Sequence, residues 1–498
     1  MAGLGVPAAV ADPLPQASEA MLLDDAASVE LLEAGRRQLL AGYLVPAERT
    51  FRRLARRSDG RPAAYHHLAT TSLLRVLLYD RPQDYDAFFS RSDSLREALD
   101  ERGRSRGRQY LHAETDFQRS LAWAKQGSYV RAAMASVSAY RSLSDLVERD
   151  STFHEAYKTL GMVHTTLGTL PRRYRRFLSI FGFETDIGQG LDQSQKAVDL
   201  SRYGREESLL FLSILDSFEL PSTVNGIETL QRLRRENGNS PLFGLVLVDA
   251  LLRSRRVDEA DALLKELENP GAGRIDIDYL DFFRAEVLFK REEWGDAAVA
   301  YAAYRARHDG KALMAVAALR QGQALEMDGR RARAEQAYRQ VIAARELDSD
   351  EASAREATEH LAHPMGELEK QLLEARVSHD RSDYSRADSL LEALADAITE
   401  ATPRRYAEWA YRRARTLDET GRDIPAARFY RLAIDRPGDP SAKWAPYGMY
   451  YLARIHEDAG RRVEARSLYQ AVVDYGPSYD YRGTNEQRAR FGLRRLED

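Results

Sequence analysis

The sequence of 498 residues contains no cysteine, which excludes disulfide bonds, thiolate metal sites and cysteine nucleophiles. No apolar run approaches the length of about 18 residues that a transmembrane helix needs. Alternating Val/Ile/Thr runs with hairpin turns are nearly absent, which argues against a β-sheet protein. The 73 basic and 77 acidic residues almost cancel, so no overall charge attracts nucleic acid or anionic lipid.

The first residues allow two interpretations. Ala9-Val10-Ala11 before Asp12 fits the small-x-small pattern of a signal-peptide cleavage site, but the regions that normally precede such a site are missing. Residues 1–20 are therefore expected to be the end of an export signal or a flexible leader. The compartment accordingly stays open between the cytoplasm and the periplasmic or extracellular side.

A pattern of glycine, alanine and an aromatic residue recurs along the chain. The alanine follows the glycine by five residues and the aromatic residue follows it by nine. Weaker copies keep the alanine, as at Ala260, Ala297 and Ala387. The full pattern occurs at Gly42-Ala47-Phe51, Gly329-Ala334-Tyr338, Gly421-Ala426-Tyr430 and Gly460-Ala465-Tyr469.

A pair of antiparallel helices explains this spacing. Glycine readily adopts the backbone conformation that ends the first helix. Alanine allows the second helix to cross closely, and the aromatic ring one turn later fills the groove between the two helices. The spacing is typical of tetratricopeptide repeats. It predicts an all-α protein, a right-handed superhelix (α-solenoid) of antiparallel helix pairs.

The spacing is interrupted over residues 349–366, where Pro364 and Gly366 indicate a helix break. We therefore predict two arrays. The N-terminal array covers residues 28–348 and contains an irregular insert near 170–205. The C-terminal tetratricopeptide repeats cover residues 366–498.

The N-terminal two-thirds carries three further elements, "HAETDFQRSLAW" at 112–123, "HEAYKTLGMVHTTLGTLP" at 154–171 and "RFLSIFGFETDIGQGLDQ" at 176–193. In this order they resemble the tetratricopeptide repeat protein 39 family, which includes a fungal inclusion-body clearance protein, over roughly residues 30–345. Glu184-Thr185 depart from the small residue and glycine usual in that family. The resemblance implies a helical scaffold without enzymatic activity, with cellular roles in lipid handling or protein clearance.

Two nucleotide-binding motifs are incomplete. A Walker loop needs Ser or Thr after its Gly-Lys pair, and the Gly310-Lys311 pair lacks it. After Gly188 and Gly190, Gln193 stands where a dinucleotide-binding fingerprint needs a third glycine, and no strand precedes it. No cofactor is therefore expected.

Two other motifs have a functional and a structural interpretation. His360 and His363, beside Glu359, are spaced for a surface metal site, but a polar helix end explains them better. The "GRSRG" stretch at 103–107 has the letters of a serine-hydrolase elbow around Ser105, without the buried strand that such a nucleophile needs. We predict no catalytic residue and no metal site, and expect that the chain is not an enzyme.

Tyrosine and arginine recur on the first helices of the C-terminal repeats. Tyr411 and Arg415 of one repeat, and their counterparts in the next, lie one helical turn apart on the face expected to line the concave groove. This face suits a peptide with an acidic or carboxylate end. The alternative is tyrosine packing and arginine ion-pairing between neighbouring helices. The predicted partner-binding residues are Tyr411, Arg412, Arg415, Tyr447, Tyr450, Tyr451 and Arg454.

The stretch "LPRRYRRFLSIFGF" at 170–183 is a second candidate surface. In the repeat frame it is the second helix of a pair whose first helix turns at Gly168, with Arg173 at the small position and Phe177 at the aromatic one. Its apolar residues either fill the interior or form an exposed docking edge. That edge would consist of Arg172, Arg173, Arg175, Arg176, Phe181 and Phe183.

These observations favour a non-catalytic scaffold that binds a protein or peptide partner in its concave groove and does not bind nucleic acid. The alternative is a lipid- or membrane-associated helical-repeat protein that makes peripheral membrane contact. An enzyme with an unrecognised site is a remote third possibility. The identity of the partner and the oligomeric state are left open.

Overall fold

A computed structural model describes residues 14–168, 187–220, 222–269, 271–343 and 350–497. The described residues form 25 α-helices and no strand. The first thirteen helices are α1 (Leu14–Ala20), α2 (Ala26–Leu40), α3 (Leu44–Leu54), α4 (Arg61–Tyr79), α5 (Pro82–Asp100), α6 (Arg106–Lys125), α7 (Tyr129–Arg149), α8 (Ala156–Gly168), α9 (Ile187–Leu200), α10 (Arg205–Ser217), α11 (Gly226–Glu236), α12 (Pro241–Arg253) and α13 (Val257–Leu267).

The remaining helices continue the same alternation and complete eleven consecutive helix pairs in the described residues, with α1, α18 and α25 unpaired. They are α14 (Tyr279–Lys290), α15 (Trp294–Arg307), α16 (Met314–Met327), α17 (Arg331–Ala343), α18 (Glu351–Ala362), α19 (Glu367–Asp380), α20 (Tyr384–Ala393), α21 (Pro403–Glu419), α22 (Asp423–Asp435), α23 (Trp444–Asp458), α24 (Arg462–Asp474) and α25 (Arg482–Arg495). The chain is therefore an all-α solenoid, as the repeat spacing predicts.

The repeat positions have the burial and backbone conformation that the spacing requires. The glycines at the turns have positive φ angles, from 69° at Gly421 to 85° at Gly42. The alanine and aromatic positions of the four full copies are completely buried: Ala47, Phe51, Ala334, Tyr338, Ala426, Tyr430, Ala465 and Tyr469. The predicted tetratricopeptide-like helical repeats are thus confirmed.

A carboxylate in the first helix fixes each buried tyrosine. The Tyr338 hydroxyl donates a hydrogen bond to Glu326 at 2.7 Å, and Tyr430 donates one to Asp418 at the same distance. Each carboxylate stands three residues before the turn glycine of its repeat. Because the buried hydroxyl has this partner, tyrosine can occupy the aromatic position without an unsatisfied polar group.

The small residue of the first helix leaves room for the aromatic ring of the second. A Cβ on Gly322 would overlap the Tyr338 ring. Gly322→Ala is therefore expected to lower the free energy of unfolding by about 1–3 kcal/mol through overpacking. Gly295→Ala in α15 is the matched control, since its nearest neighbouring atom would be 3.5 Å away, and it is expected to be neutral or slightly stabilising. Thermal unfolding midpoints of the two variants compare them, and equal midpoints would contradict this packing.

Residues 169–186 separate the two helices of one pair in the sequence. Within the described residues α8 packs against α9, and a Cβ on Gly190 of α9 would overlap Thr165 and crowd the carbonyl of Gly161 in α8. Gly190 thus provides a small position opposite α8. The interpretation of 170–183 as the second helix of a pair, with Arg173 at the small position, concerns residues outside the described ranges and stays a prediction. The predicted docking edge lies outside the described residues.

The start of the chain is more ordered than the sequence indicates. Residues 14–20, which the sequence assigns to a flexible leader or the end of an export signal, form α1, and Ala17 and Ala20 are buried against α6. A Cβ on Gly107 would overlap the carbonyl oxygen of Glu19, so this glycine allows the end of α1 to approach α6. The small apolar residues therefore pack the segment onto the first repeats.

The solenoid returns on itself, so that its last helix contacts its middle. Arg488 of α25 donates hydrogen bonds of 2.6 and 3.1 Å to the carbonyl oxygen of Phe218, just after α10. Phe491 of α25 packs against the apolar cluster that includes Leu212 of α10. This closure brings Glu219 to the concave side of the C-terminal repeats. The division into two arrays near residue 366 stays a prediction.

Candidate functional site

The concave side of the second half of the solenoid encloses a cavity of about 350 Å³. Its walls are the first helices α16, α19, α21 and α23 of four helix pairs, together with α18. The loop carrying Glu219 and the segment Asp480–Tyr481 before α25 complete the enclosure. First helices line the cavity because the second helix of each pair lies on the convex side.

The cavity wall carries more positive than negative side chains. Eight basic groups and five carboxylates line it, so the basic groups are in excess by three. The acidic residues are Glu219, Glu356, Asp380, Glu408 and Asp480. The eight basic residues are Arg255, Arg320, Arg376, Arg404, Arg405, Arg412, Arg415 and Lys443.

Six of the eight cations have a carboxylate partner. Arg412 donates to Glu408 at 2.9 Å. Arg415 pairs with Asp418 at 3.2 Å, and its guanidinium lies 3.8 Å from the ring centroid of Tyr451. These pairs hold the arginine side chains in defined positions along the wall. The other paired cations are Arg255, Arg320, Arg404 and Arg405.

Arg376 and Lys443 have no ion pair in the part of the chain that the structure describes. The Nε atom of Arg376 is buried without a hydrogen-bond partner, and its guanidinium lies 5.9 Å from the Phe289 ring. The Lys443 ammonium lies 5.3 Å from the Trp444 ring and 5.2 Å from the Tyr481 ring. Both cations thus rest on aromatic faces, which attract them more weakly than an anion would.

Burial and neighbouring charges shift the pKa values of several wall residues from their usual values. Burial lowers the pKa of His379 to about 3. Burial alone would raise the pKa of Asp380, but Lys290 and His379 outweigh it and lower that pKa to about 2. Burial also lowers the pKa of Lys443, and the nearby Arg412 adds to the effect. At neutral pH the histidine is therefore uncharged and Asp380 is ionised.

Four of the seven predicted partner-binding residues line the cavity, namely Tyr411, Arg412, Arg415 and Tyr451. Tyr447 and Tyr450 are buried in the tyrosine cluster behind the wall, and Arg454 is exposed and is not among the lining residues. Tyrosine packing therefore supports the wall and arginine side chains reach the cavity, while partner binding at these residues stays a prediction.

Sequence reasoning missed Arg376, although a signal was present. Arg376 stands six residues before the turn residue Ser382, as Arg415 does before Gly421. Ser382 replaces the usual glycine and adopts its left-handed conformation with a φ of 62°. The weaker copy at Ala387 gives this register, but Leu372 stands where the two later repeats carry the tyrosine of the Tyr/Arg pair. Lys443 lies outside the repeat frame, just before α23, and no sequence signal indicated it.

The histidine pair His360/His363 and the 103–107 stretch around Ser105 were the motifs with both a functional and a structural interpretation. His360 and Ser105 have structural roles. His360 is 3% exposed and stacks on Tyr338 with ring centroids 5.3 Å apart. The Ser105 hydroxyl accepts a hydrogen bond from the backbone N–H of Arg108 at 3.2 Å and caps α6. Among the described residues, no cluster of three or more potential metal ligands occurs.

Neither a protein-family model nor a curated protein matches the sequence. Solved structures similar to this chain include yeast Tom70, with 10% identity, a TM-score of 0.36, and coverage of 90% of this chain and 99% of that one. A Rap protein complexed with competence and sporulation factor has 12% identity, a TM-score of 0.32 and coverage of 83% and 98%. The human IFIT1 dimer with m7Gppp-AAAA has 13% identity, a TM-score of 0.32 and coverage of 97% and 98%. Similarity this distant says nothing about what this chain binds, and the closer resemblance to the tetratricopeptide repeat protein 39 family stays a prediction.

Proposed function

We propose that the chain is a non-catalytic adaptor that binds an acidic segment of a protein or peptide partner in the basic cavity. The observation that carries this proposal is that Arg376 and Lys443 line the cavity without a carboxylate partner. A cation removed from water gains most from a bound anion. A cavity of about 350 Å³ is within the range of ligand sites, and here it suits a few side chains of an extended peptide.

The five wall carboxylates favour a peptide over a nucleic acid. A polyanion would bring its evenly spaced phosphates close to ionised groups such as Asp380 and Glu408. A peptide with one or two carboxylates can contact Arg376 and Lys443 and avoid the acidic positions. The mixed charge of the wall thus favours a short acidic segment.

The same ionisable groups support a role without catalysis. A general acid or base works best when its pKa is close to the ambient pH. Neighbouring charged groups outweigh burial and lower the pKa values of Asp380 and Glu356 to about 2, whereas burial lowers the pKa of His379 to about 3. These three wall groups are therefore poorly matched to proton transfer at neutral pH.

Replacement of Lys443 by methionine tests this function, because it removes the charge and keeps the length of the side chain. We expect the Kd of a fluorescein-labelled peptide, GSGSGEED, to rise about tenfold or more, since a charge-assisted hydrogen bond contributes roughly 1.5–3 kcal/mol. Fluorescence anisotropy at low salt measures the binding.

The matched control is Lys265→Met, which removes an exposed lysine of the convex helix α13 that is paired with Asp261. Its Kd should equal that of the unmodified protein. Equal affinities for the Lys443 variant and the unmodified protein would contradict the proposed site. Equally tight binding of the basic peptide GSGSGKKK would do the same.

The membrane-associated alternative depends on Phe181, Phe183 and their neighbouring arginines, which lie outside the described residues. Among the helices that the structure describes, none has both the length and the apolar character needed to cross a bilayer. Flotation with anionic vesicles tests this alternative. Vesicle binding that is lost on replacement of Phe181 and Phe183 by serine would favour it.

A further inference from the structure

An apolar groove of about 620 Å³ adjoins the basic cavity on the concave side of the solenoid. Helices α10, α12 and α14 provide its walls, together with Leu313 just before α16. The groove and the cavity share Arg255 and Asp380 as lining residues. They therefore form one continuous concave surface with an apolar part and a basic part.

The floor of the groove is apolar and partly open to solvent. Its half-buried side chains are Ile214, Leu245, Val246, Phe283 and Leu313. Charged groups at the rim are paired with one another, as in the Arg253–Asp249 pair at 2.7 Å and the Lys290–Asp380 pair at 3.0 Å. An accessible apolar patch that is rimmed by satisfied charges is typical of a binding site.

We propose that this groove binds apolar side chains of the same peptide whose acidic residues enter the basic cavity. The inference rests on the proposed function and specifies the ligand as an extended segment in which two large apolar residues adjoin an acidic cluster. An extended chain advances about 3.3 Å per residue, so a segment of a few residues can reach from the groove past Arg255 into the cavity.

The polar rim favours a peptide over an acyl chain with an anionic headgroup. Side chains such as Asp249 and Glu286 border the groove and can accept hydrogen bonds from a peptide backbone. An acyl chain would make no hydrogen bond to them and would leave one side in water, because the groove is open. A fatty acid is therefore the competing occupant that the experiment must distinguish.

Anisotropy with matched probes tests the inference. We expect an apolar and acidic probe, GSLFGEED or its reversed order DEEGFLSG, to bind about tenfold more tightly than GSGSGEED, because each buried apolar side chain adds affinity. Val246→Asp should abolish this gain and leave the affinity for GSGSGEED within about twofold of that of the unmodified protein. Val463→Asp, at an 80% exposed position of the convex helix α24, should change neither affinity.

The outcomes separate the two proposals. If GSGSGEED binds, and neither GSLFGEED nor DEEGFLSG binds more tightly than it does, the groove inference is overturned and the proposed function stands. If no acidic probe binds, the proposed function is overturned. A third outcome would instead assign the groove to an acyl ligand. In it, oleate below its micellar concentration displaces the apolar and acidic probe, and that probe binds no more tightly than GSGSGEED. Val246→Thr keeps the side-chain shape and replaces Val246→Asp if that variant does not fold. A smaller loss of the affinity gain in Val246→Thr than in Val246→Asp supports the inference.

Discussion

Replacement of Lys158 by methionine is expected to lower the free energy of unfolding by about 3–5 kcal/mol, because it leaves a buried carboxylate without its cation. Lys158 lies in α8 with 8% of its side chain exposed, and its partner Glu114 in α6 is 1% exposed. The ammonium group also donates to Glu207 at 2.9 Å. The network joins three helices that are far apart in sequence.

The pKa shifts of this network follow from its burial. Burial raises the pKa of Glu114 in spite of the neighbouring Lys158. Burial disfavours the charged form of Lys158, but the carboxylates of Glu114 and Glu207 outweigh it and raise its pKa. Without the lysine, Glu114 must either take up a proton or open the structure to water.

Chemical denaturation of Lys158→Met and of the double variant Lys158→Met/Glu114→Gln measures this effect. The double variant should regain part of the lost stability, since it no longer carries the buried carboxylate. A loss below about 1 kcal/mol in the single variant would contradict the structure of this network. A double variant less stable than the single one would contradict it equally.

Lowering the pH from 7 to 5 is expected to cost about 2 kcal/mol of stability through His66 alone. His66 of α4 is 5% exposed, and its Nδ1 has no hydrogen-bond partner. Burial lowers its pKa from 6.5 to about 3, and the charges of Lys158 and Arg36 act in the same direction. In the unfolded chain His66 therefore binds a proton near pH 6.5, whereas in the folded chain it binds one only near pH 3.

The sign of the effect follows from this difference. The contribution of neutral His66 is fully present above pH 6.5 and is lost as the pH falls from 6.5 towards 3. His66→Gln cannot titrate, so its stability should decline by about 2 kcal/mol less than that of the unmodified protein between pH 7 and pH 5. Urea denaturation at the two pH values measures the difference. Parallel declines would show that His66 is accessible to protons in the folded state.

The sequence predicted the helix pairs because their determinants are local. A turn glycine, an alanine and an aromatic ring within nine residues specify both the end of one helix and its contact with the next, as in Gly460-Ala465-Tyr469. The Gly161–Gly190 contact was missed because an insert separates the two helices that it joins. The contact of Arg488 with Phe218 spans 270 positions and has no local signature.

The candidate site was predictable only in part for the same reason. The repeat frame placed Tyr411 and Arg415 on the concave face, and both line the cavity. Arg454 keeps the spacing yet is exposed and does not line the cavity, so the frame alone does not decide which arginine side chains reach it. Glu219 and Lys443 reach the wall from segments outside the frame, through closure of the solenoid and through the start of α23.

A second arginine-rich surface offers a comparison for the basic cavity. Arg104, Arg106, Arg108 and Arg149 line a shallow depression near the start of α6. Arg106, Arg108 and Arg149 are already paired with carboxylates. An acidic peptide should therefore prefer the cavity, where two cations lack such partners, to this surface.

Photo-crosslinking tests the central claim most directly, because it reports where an acidic peptide binds. The probe is GSGSGEED with benzoylphenylalanine in place of its second serine, and mass spectrometry of tryptic fragments locates the crosslinks. The expected crosslinks lie in α19, α21 and α23, and excess GSGSGEED suppresses them. Crosslinks concentrated at residues 104–112 or on the convex helices would contradict binding in the basic cavity.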